Sequence, residues 1–367
     1  MEFTFSDEQD ALRDAVRSFV SRDADTAYVR GLLDDPVGVT PAVWSTLAEL
    51  GWTGLLVPEE HGGLGLGLTD VVVVQEELGR GAFPGPFFSS AVLATLAATR
   101  LGLDDRLGAL ANGSTRGTVA VDEQGHGDVV DRVRTRASRK TGRWLLDGLK
   151  PVVLDGHTAD WVLVVARTQE GLGTFVVENP GATGLAVEVP TWDPTRKVAR
   201  LALDGVVAEP VGPEGDHTAI WRRVVDDACV ALCAELIGAM EAAHHLAVEY
   251  AKVRVQFDRP IATFQVIKHK AVDMLHHIEL SRVGTHYAAW ASDVDDPVRE
   301  EAAAMAKAYV PESAIAVTGE SIQIHGGVGF TWDCDAHLFY KRAKQDDLLL
   351  GYHGTHRERV ADLFLAS

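Results

Sequence analysis

The sequence predicts an α+β protein, mostly α, with a small β-domain inserted between two helical regions. Two observations predict it. Apolar residues recur at helical spacing in the first and last thirds of the chain. From about Thr115 to Val211 the texture instead becomes short β-branched and aromatic runs broken by Gly, Asp and Pro. The order helical, β, helical without an internal repeat points to a β insert between helical layers. The expected divisions are 1–112, an N-terminal helical domain; 113–213, a central β-domain; and 214–367, a C-terminal helical domain.

Taken in order, Ser6 followed by Gln9 forms a capping-box pattern, and Leu12, Val16 and Phe19 then mark one helix face. Helical stretches are expected at 41–50, 69–80 and 88–101, with VPEEHGGLGLGLTD (57–70) as a glycine-rich loop. WVLVVA (161–166) and GTFVVE (173–178) read as strands of an antiparallel β-domain that PVGPEGD (210–216) closes. Ala-rich helical stretches follow at 217–290 and 298–322, with Leu232, Leu236, Met240 and His244 on one stripe. A helix from His337 to about Leu350 and the tail HGTHRERVADLFL complete the chain.

Composition narrows the function. The 367 residues hold 34 Lys+Arg against 53 Asp+Glu, a net charge of −19, which disfavours nucleic acid or an anionic membrane as a partner. Hydrophobic residues at 46% and charged residues at 24% are those of an ordered globular protein. Cys229, Cys233 and Cys334 fit no disulfide framework or zinc signature. Cys229 and Cys233 stand four apart in an apolar helical stretch, as buried thiols of a reducing cytoplasm would. The N-terminus lacks the regions of a signal peptide, and no apolar run reaches the roughly 18 residues of a membrane span, so a cytoplasmic location is expected.

Several motifs fall away on spacing. GGLGLGL (62–68) has neither G-x-G-x-x-G spacing nor a preceding strand, so it reads as an inter-helix loop. His244–His245 and His276–His277 are adjacent pairs whose side chains point about 100° apart on a helix, so no metal site is expected. H-E-x-x-H and G-x-S-x-G are both absent. The informative segment is YAKVRVQFDRPIATFQVIKHKAVDM (250–274), where Arg254, Gln256 and Phe257 precede Pro260, expected to break the helix before Phe264–Gln265 opens another. A fixed cation, an aromatic ring and an amide at a helix break can grip a phosphorylated, ring-bearing ligand. The alternative is that Arg254 pairs at the helix end and Phe257 is core. In QIHGGVG (323–329), the glycine pair admits a backbone or a cofactor at close range.

Together these segments resemble the acyl-CoA dehydrogenase family across nearly the whole chain. FTFSDEQDALRDAVRSFV (3–20) is similar to its first helix, and LAELGWTGLLVPEEHGGLGLGLTDVVVVQEELGR (47–80) to its N-terminal signature. RVQFDRPIATFQVIKHKAVDM (254–274) and QIHGGVGFTWD (323–333) are similar to its C-terminal signatures. The resemblance implies helical N-terminal, central β and C-terminal four-helix-bundle domains, in tetramers built from dimers that bind FAD between subunits. It assigns Arg254, Gln256, Phe257 and Gln265 to the grip on a neighbour's FAD. Gln323, Gly326 and Gly327 match positions contacting the adenosine and pyrophosphate part. The implied substrate is an acyl-CoA thioester, which loses an α-proton to a carboxylate and a β-hydride to flavin. Electrons would pass to an acceptor flavoprotein.

The sequence departs from the family pattern in three places. Counted without gaps from GGVGF, the usual catalytic Glu falls on Leu350; a three-residue insertion would instead put His353 there, a usable base. The alternative Glu position falls near Ala228, beside Asp226 and Asp227. VDEQGHGD (121–128) stands where the family carries Thr-Glu and Gly-Ser, and Val152 and Leu154 stand where it carries a Trp and a hydroxyl residue against the isoalloxazine. The half of the site that reaches across is kept, while the half that holds a protomer's own flavin is eroded. The expectation is therefore a subunit lacking the catalytic Glu in a heterotetramer with a paralogous subunit, as in actinobacterial enzymes for steroid side chains. The alternatives are a homotetrameric flavoenzyme with an altered base, His353, acting on an unusual acyl thioester, and a non-catalytic structural subunit. KVRVQFDR (252–259) and YKRAK (340–344) would supply the positive charge that such polyanionic ligands need.

Overall fold

The computed structural model describes residues 5–125 and 127–366. Phe3 and Thr4 of the first-helix segment, and His126 of VDEQGHGD, lie outside the described residues. The chain is α+β and mostly α. It divides into two compact units, one of residues 1–30, 72–83 and 229–367 and the other of 31–71 and 84–228.

Helices come first. They are α1 (Asp7–Asp23), α2 (Thr26–Gly31), α3 (Pro41–Glu49), α4 (Leu68–Arg80), α5 (Thr95–Leu101) and α6 (Asp104–Ala111). The Ser6–Gln9 capping box forms, and Val16, Phe19 and Val20 are the buried face of α1. Thr40 caps α3, with Pro41 preset for its first turn. Ahead of α5, Phe87–Ala94 winds as a π-helix, a widened turn that the Ala/Leu spacing does not announce.

The strands are β1 (Gly117–Ala120), β2 (Arg136–Lys140), β3 (Arg143–Leu154), β4 (Trp161–Arg167), β5 (Leu172–Glu178), β6 (Ala186–Val189) and β7 (Val198–Val211). The pairings β4–β2–β3–β7–β5–β4 close on themselves, which removes open edges from those strands. The expected antiparallel domain is in fact mixed. β1 runs parallel to β4 through Gly117↔Trp161 to Ala120↔Val164, and β2 touches β4 in parallel at Arg136↔Arg167. A parallel pair needs a long crossover, and β2 with β3 provides it between β1 and β4; no local pattern encodes that return. Leu146, Val162, Val164, Phe175 and Leu201 fill the interior.

The last helices are α7 (Thr218–Val253), α8 (Gln265–Asp293), α9 (Arg299–His325), α10 (Ala336–Leu348) and α11 (His353–Ala366), with a small hairpin of β8 (Val255–Gln256) and β9 (Arg259–Pro260) after α7. Leu232, Leu236 and Met240 are fully buried, as their stripe predicts. α4 and α7 touch backbone to backbone at two glycines. A Cβ on Gly79 would lie 2.0 Å from the Glu235 carbonyl oxygen, and one on Gly238 1.8 Å from that of Glu76. Ion pairs tie each of these helices to another: Glu77 of α4 takes Arg17 of α1 at 2.6 and 3.0 Å, and Glu235 of α7 takes Arg342 of α10. None of the described helices is long and apolar enough to cross a membrane.

The cysteines are free and buried. Burial pushes the Cys233 thiol up to about 12, so it stays protonated and unreactive at neutral pH. The folded chain is expected to give no fast reaction with a thiol-specific disulfide reagent, and all three cysteines to react in guanidinium. A fast thiol in the native protein contradicts that burial.

Candidate functional site

Two chain reversals build the candidate site. α7 stops at Val253, and the hairpin turns at Phe257 and Asp258, whose φ values are +53° and +59°. Two consecutive left-handed residues are the turn of a two-residue hairpin. The expected break at Pro260 therefore comes earlier and has another cause, since Pro260 sits in β9 at the edge position it tolerates. The Ile261 N–H donates to the Arg254 carbonyl at 2.8 Å, which fixes the backbone and leaves the Arg254 side chain exposed. The second reversal is the end of α9, where Gly326 takes φ +64°, ψ −140°, a conformation essentially confined to glycine.

Together the reversals line a groove of about 510 Å³ with Tyr250, Arg254, Gln256, His325, Gly326 and Gly327 among its walls. Four of the residues singled out from sequence thus meet in one place. Phe257, Gln265 and Gln323 are exposed but outside the lining. Phe257 is 85% exposed and edge-on to Phe264, so it is not core. Gln265 is 3.3 Å from His269 within α8. A Cβ on Gly326 or Gly327 would meet nothing within 4 Å, so the glycines leave the wall open to a close ligand. Tyr250 and His325 belong to the groove but were not singled out. Tyr250 lies one helical turn before Arg254, the spacing that puts two side chains on one face.

The positive charge is narrower than the sequence pattern indicates. Arg342 of YKRAK is 1% exposed and spent on Glu235, while Lys341 lies over the Trp332 ring at 4.6 Å. In KVRVQFDR, Lys252 pairs with Glu249 at 2.6 Å and Arg259 lies over Phe264 at 4.3 Å. Arg254 is the cation of that cluster that lines the groove.

At the expected position of the base, Leu350 is 6% exposed with φ +56°. Its carbonyl accepts from His356 Nε2 at 3.0 Å and lies 3.8 Å from Cys229 Sγ. This segment offers an apolar side chain and no carboxylate. His353 is held differently: its ring Nδ1 and its backbone N–H both face Asp347 Oδ1, at 2.9 and 3.0 Å. Asp227, the nearest acid to the alternative position, takes Arg100 at 2.5 Å and Arg223 at 3.2 Å, so it serves as a structural counter-ion.

The segment 121–135 is stapled to β3. Glu123 accepts from Lys150 Nζ at 2.6 Å and from the Thr135 and Arg134 N–H groups at 2.9 and 2.7 Å. Burial pushes Lys150 down to about 8, against the pull of Glu123. Burial also raises Glu123, but the Lys150 charge and these hydrogen bonds outweigh it and leave the carboxyl low. Asp122 takes Arg132 at 2.5 Å, and its own burial raises it. On β3, Val152 is half-buried and Leu154 buried, with no hydroxyl at either position. Among the described residues, no group of three or more His, Cys, Asp or Glu could hold a metal ion.

The family profiles for the N-terminal and C-terminal domains of acyl-CoA dehydrogenase match residues 6–104 and 220–365. Acyl-CoA dehydrogenase IpdE2 of Mycobacterium tuberculosis is 33% identical over 94% of this chain and 93% of its own length. The chain belongs to the acyl-CoA dehydrogenase family. Among solved structures of similar fold, a steroid ACAD variant (Tcur3481–Tcur3483) superposes with a TM-score of 0.89 at 31% identity, covering 98% of each chain. The ChsE4–ChsE5 complex of Mycobacterium tuberculosis gives 0.90 at 27% identity over 100% of each chain. Acyl-CoA dehydrogenases are oxidoreductases and flavoproteins, so the groove is to be judged against FAD.

Proposed function

We propose that this chain is the partner subunit of a heteromeric, FAD-dependent acyl-CoA dehydrogenase, acting with a paralogous subunit that carries the catalytic carboxylate. FAD, when bound, supplies the hydride acceptor for α,β-dehydrogenation of an acyl-CoA thioester. One contrast carries the reading. Arg254, Gln256, Gly326 and Gly327 converge on an open groove, whereas the position of the base is the buried Leu350. The groove suits the phosphate-bearing part of a dinucleotide: an exposed guanidinium binds phosphate oxygens, and the glycine pair leaves room for close approach. The β-strand positions expected to touch the flavin ring do not suit it, because Val152 and Leu154 lack the hydroxyl. Likeness to a structure described as a steroid ACAD supports a bulky acyl group. Likeness to the ChsE4–ChsE5 complex supports assembly with a different chain. Transfer of electrons to an acceptor flavoprotein and a cytoplasmic location belong to the same reading.

The test is to purify the chain alone and together with its paralogue. The chain alone is expected to be colourless and inactive, and the complex to be active with one FAD for each pair of unlike chains. An active homo-oligomer with one FAD per chain overturns the division of labour. In the complex, Arg254→Ala is expected to weaken FAD binding roughly 10- to 100-fold, the worth of a charged hydrogen-bonded contact. Unchanged FAD content and activity would favour a purely structural subunit.

A second reading has its own observation. Asp347 holds His353 by Nδ1, so the ring's Nε2 is free of that contact, the arrangement of a base with its orienting carboxylate. In a homo-oligomeric enzyme with His353 as base, His353→Ala abolishes turnover. In the heteromer it leaves turnover within about threefold of wild type, as a change away from the chemistry does.

A further inference from the structure

Asp155, directly after β3, is a buried acid that the proposed function does not use. It takes φ +52°, a conformation that Asp and Asn tolerate better than most side chains. Its backbone is pinned there: the N–H donates to the Lys197 carbonyl, and the carbonyl accepts from the Thr158 and Ala159 N–H groups, each at 3.0 Å. The side chain meets the π-helix Phe87–Ala94, with Oδ2 2.5 Å from Ser89 Oγ. The same hydroxyl stands 3.2 Å from the Pro86 carbonyl. Oδ1 is also buried and has no hydrogen-bond partner among the described residues.

This geometry locates a proton. A serine hydroxyl has one hydrogen, and here it faces two acceptors, the Pro86 carbonyl and the carboxyl. With the proton on Oδ2 the chain closes: Asp155 donates to Ser89, and Ser89 donates to Pro86. An ionised group would leave a charged oxygen bare at Oδ1, which costs far more than a bare carbonyl oxygen. Burial raises the carboxyl above its ordinary range, against the pull of the Ser89 hydrogen bond and of Arg196, His157 and Arg116. The other charges nearby are engaged elsewhere: Asp193 accepts from the Thr195 N–H at 3.0 Å, and Lys197 Nζ donates to the Leu33 carbonyl at 2.6 Å. Neither the π-helix nor β1, which packs on it, carries an ionisable side chain.

We infer that Asp155 is a neutral carboxylic acid that latches the π-helix to the end of β3, and that loss of its proton to solvent releases residues 86–94. The closed segment holds the proton more tightly than the opened one, in which the acid is hydrated and ordinary. Opening therefore becomes easier as pH rises above about 4, roughly tenfold per pH unit, until the acid ionises in place. Ser90 Oγ, which accepts from the Gly117 N–H at 3.2 Å, is a second tie of the π-helix and does not titrate.

Hydrogen–deuterium exchange of residues 87–94 is compared between the full wild-type chain and Asp155→Asn at equal pH. That comparison cancels the intrinsic chemistry of exchange and the titration of groups both chains share, Lys150 among them. The Asn amide can donate to Ser89 and cannot ionise. The ratio of wild-type to variant exchange is expected to grow about tenfold or more from about pH 5 to about pH 8. Difference infrared spectra at neutral pH are expected to show a carboxylic-acid carbonyl band that Asp155→Asn lacks. Should the Asn variant not fold, Ser89→Ala takes its place, and loss of the acceptor is expected to shift that band. An exchange ratio that stays constant with pH, the absence of an acid band, or a band that Ser89→Ala leaves unmoved overturns the inference.

Discussion

Replacing Arg342 by alanine is expected to destabilise the unit of residues 1–30, 72–83 and 229–367 by about 3–5 kcal/mol, the usual cost of breaking a buried ion pair from one side. Arg342 is 1% exposed and its partner Glu235 5% exposed. A second guanidinium nitrogen donates to the Phe83 carbonyl at 3.3 Å, so the side chain joins α10 to α7 and to the chain after α4. Truncation removes the countercharge from beside the buried Glu235 carboxylate. The double variant Arg342→Met with Glu235→Gln separates charge from packing. It is expected to recover most of the loss, because removing both charges removes the desolvation cost as well. Denaturant unfolding followed by circular dichroism reads both. A loss below about 1 kcal/mol for Arg342→Ala would assign the pair the worth of a surface ion pair and contradict its burial.

Gly238→Ala is expected to destabilise by about 3 kcal/mol or more, at the upper end for a single added methyl. Its Cβ would lie 1.8 Å from the Glu76 carbonyl oxygen and 2.6 Å from the Arg80 nitrogen, both backbone atoms of α4 that cannot rotate away. The helices would have to separate, and the Gly79 contact with the Glu235 carbonyl would separate with them. Gly284→Ala is the control. A Cβ there meets nothing within 4 Å in the interior of α8, so the same chemical change is expected to stabilise by about 0.5–1 kcal/mol. Opposite signs in a thermal melt identify the α4–α7 crossing as the cause. Equal effects would show that helix propensity, not the close approach, sets the outcome.

These pairs also mark how far local pattern reaches. The capping box at Ser6, the helical stripe through Leu232, Leu236 and Met240, and the strands at 161–166 and 173–178 depend on residues a few positions apart. They were legible for that reason. The parallel β1–β4 pairing was not, because it joins Gly117 to Trp161 across an intervening hairpin. The break after α7 was legible as a break but credited to Pro260. The turn belongs to Phe257 and Asp258, which carry no glycine to announce their positive φ.

The candidate site divides in the same way. Residue type, spacing and the family resemblance together brought out Arg254, Gln256, Gly326 and Gly327, and the absence of a carboxylate at Leu350 needed no coordinates. Burial and direction were decided by packing. Arg254 and Arg342 are the same residue in similarly basic segments, yet one faces a groove and the other a buried glutamate. Asp227 is withdrawn from chemistry by Arg100, 127 positions away in the chain. A sequence determines which groups exist and which neighbours along the chain they meet. Which of them face solvent, a partner charge or an open groove depends on contacts between distant segments, and only the folded chain decides those.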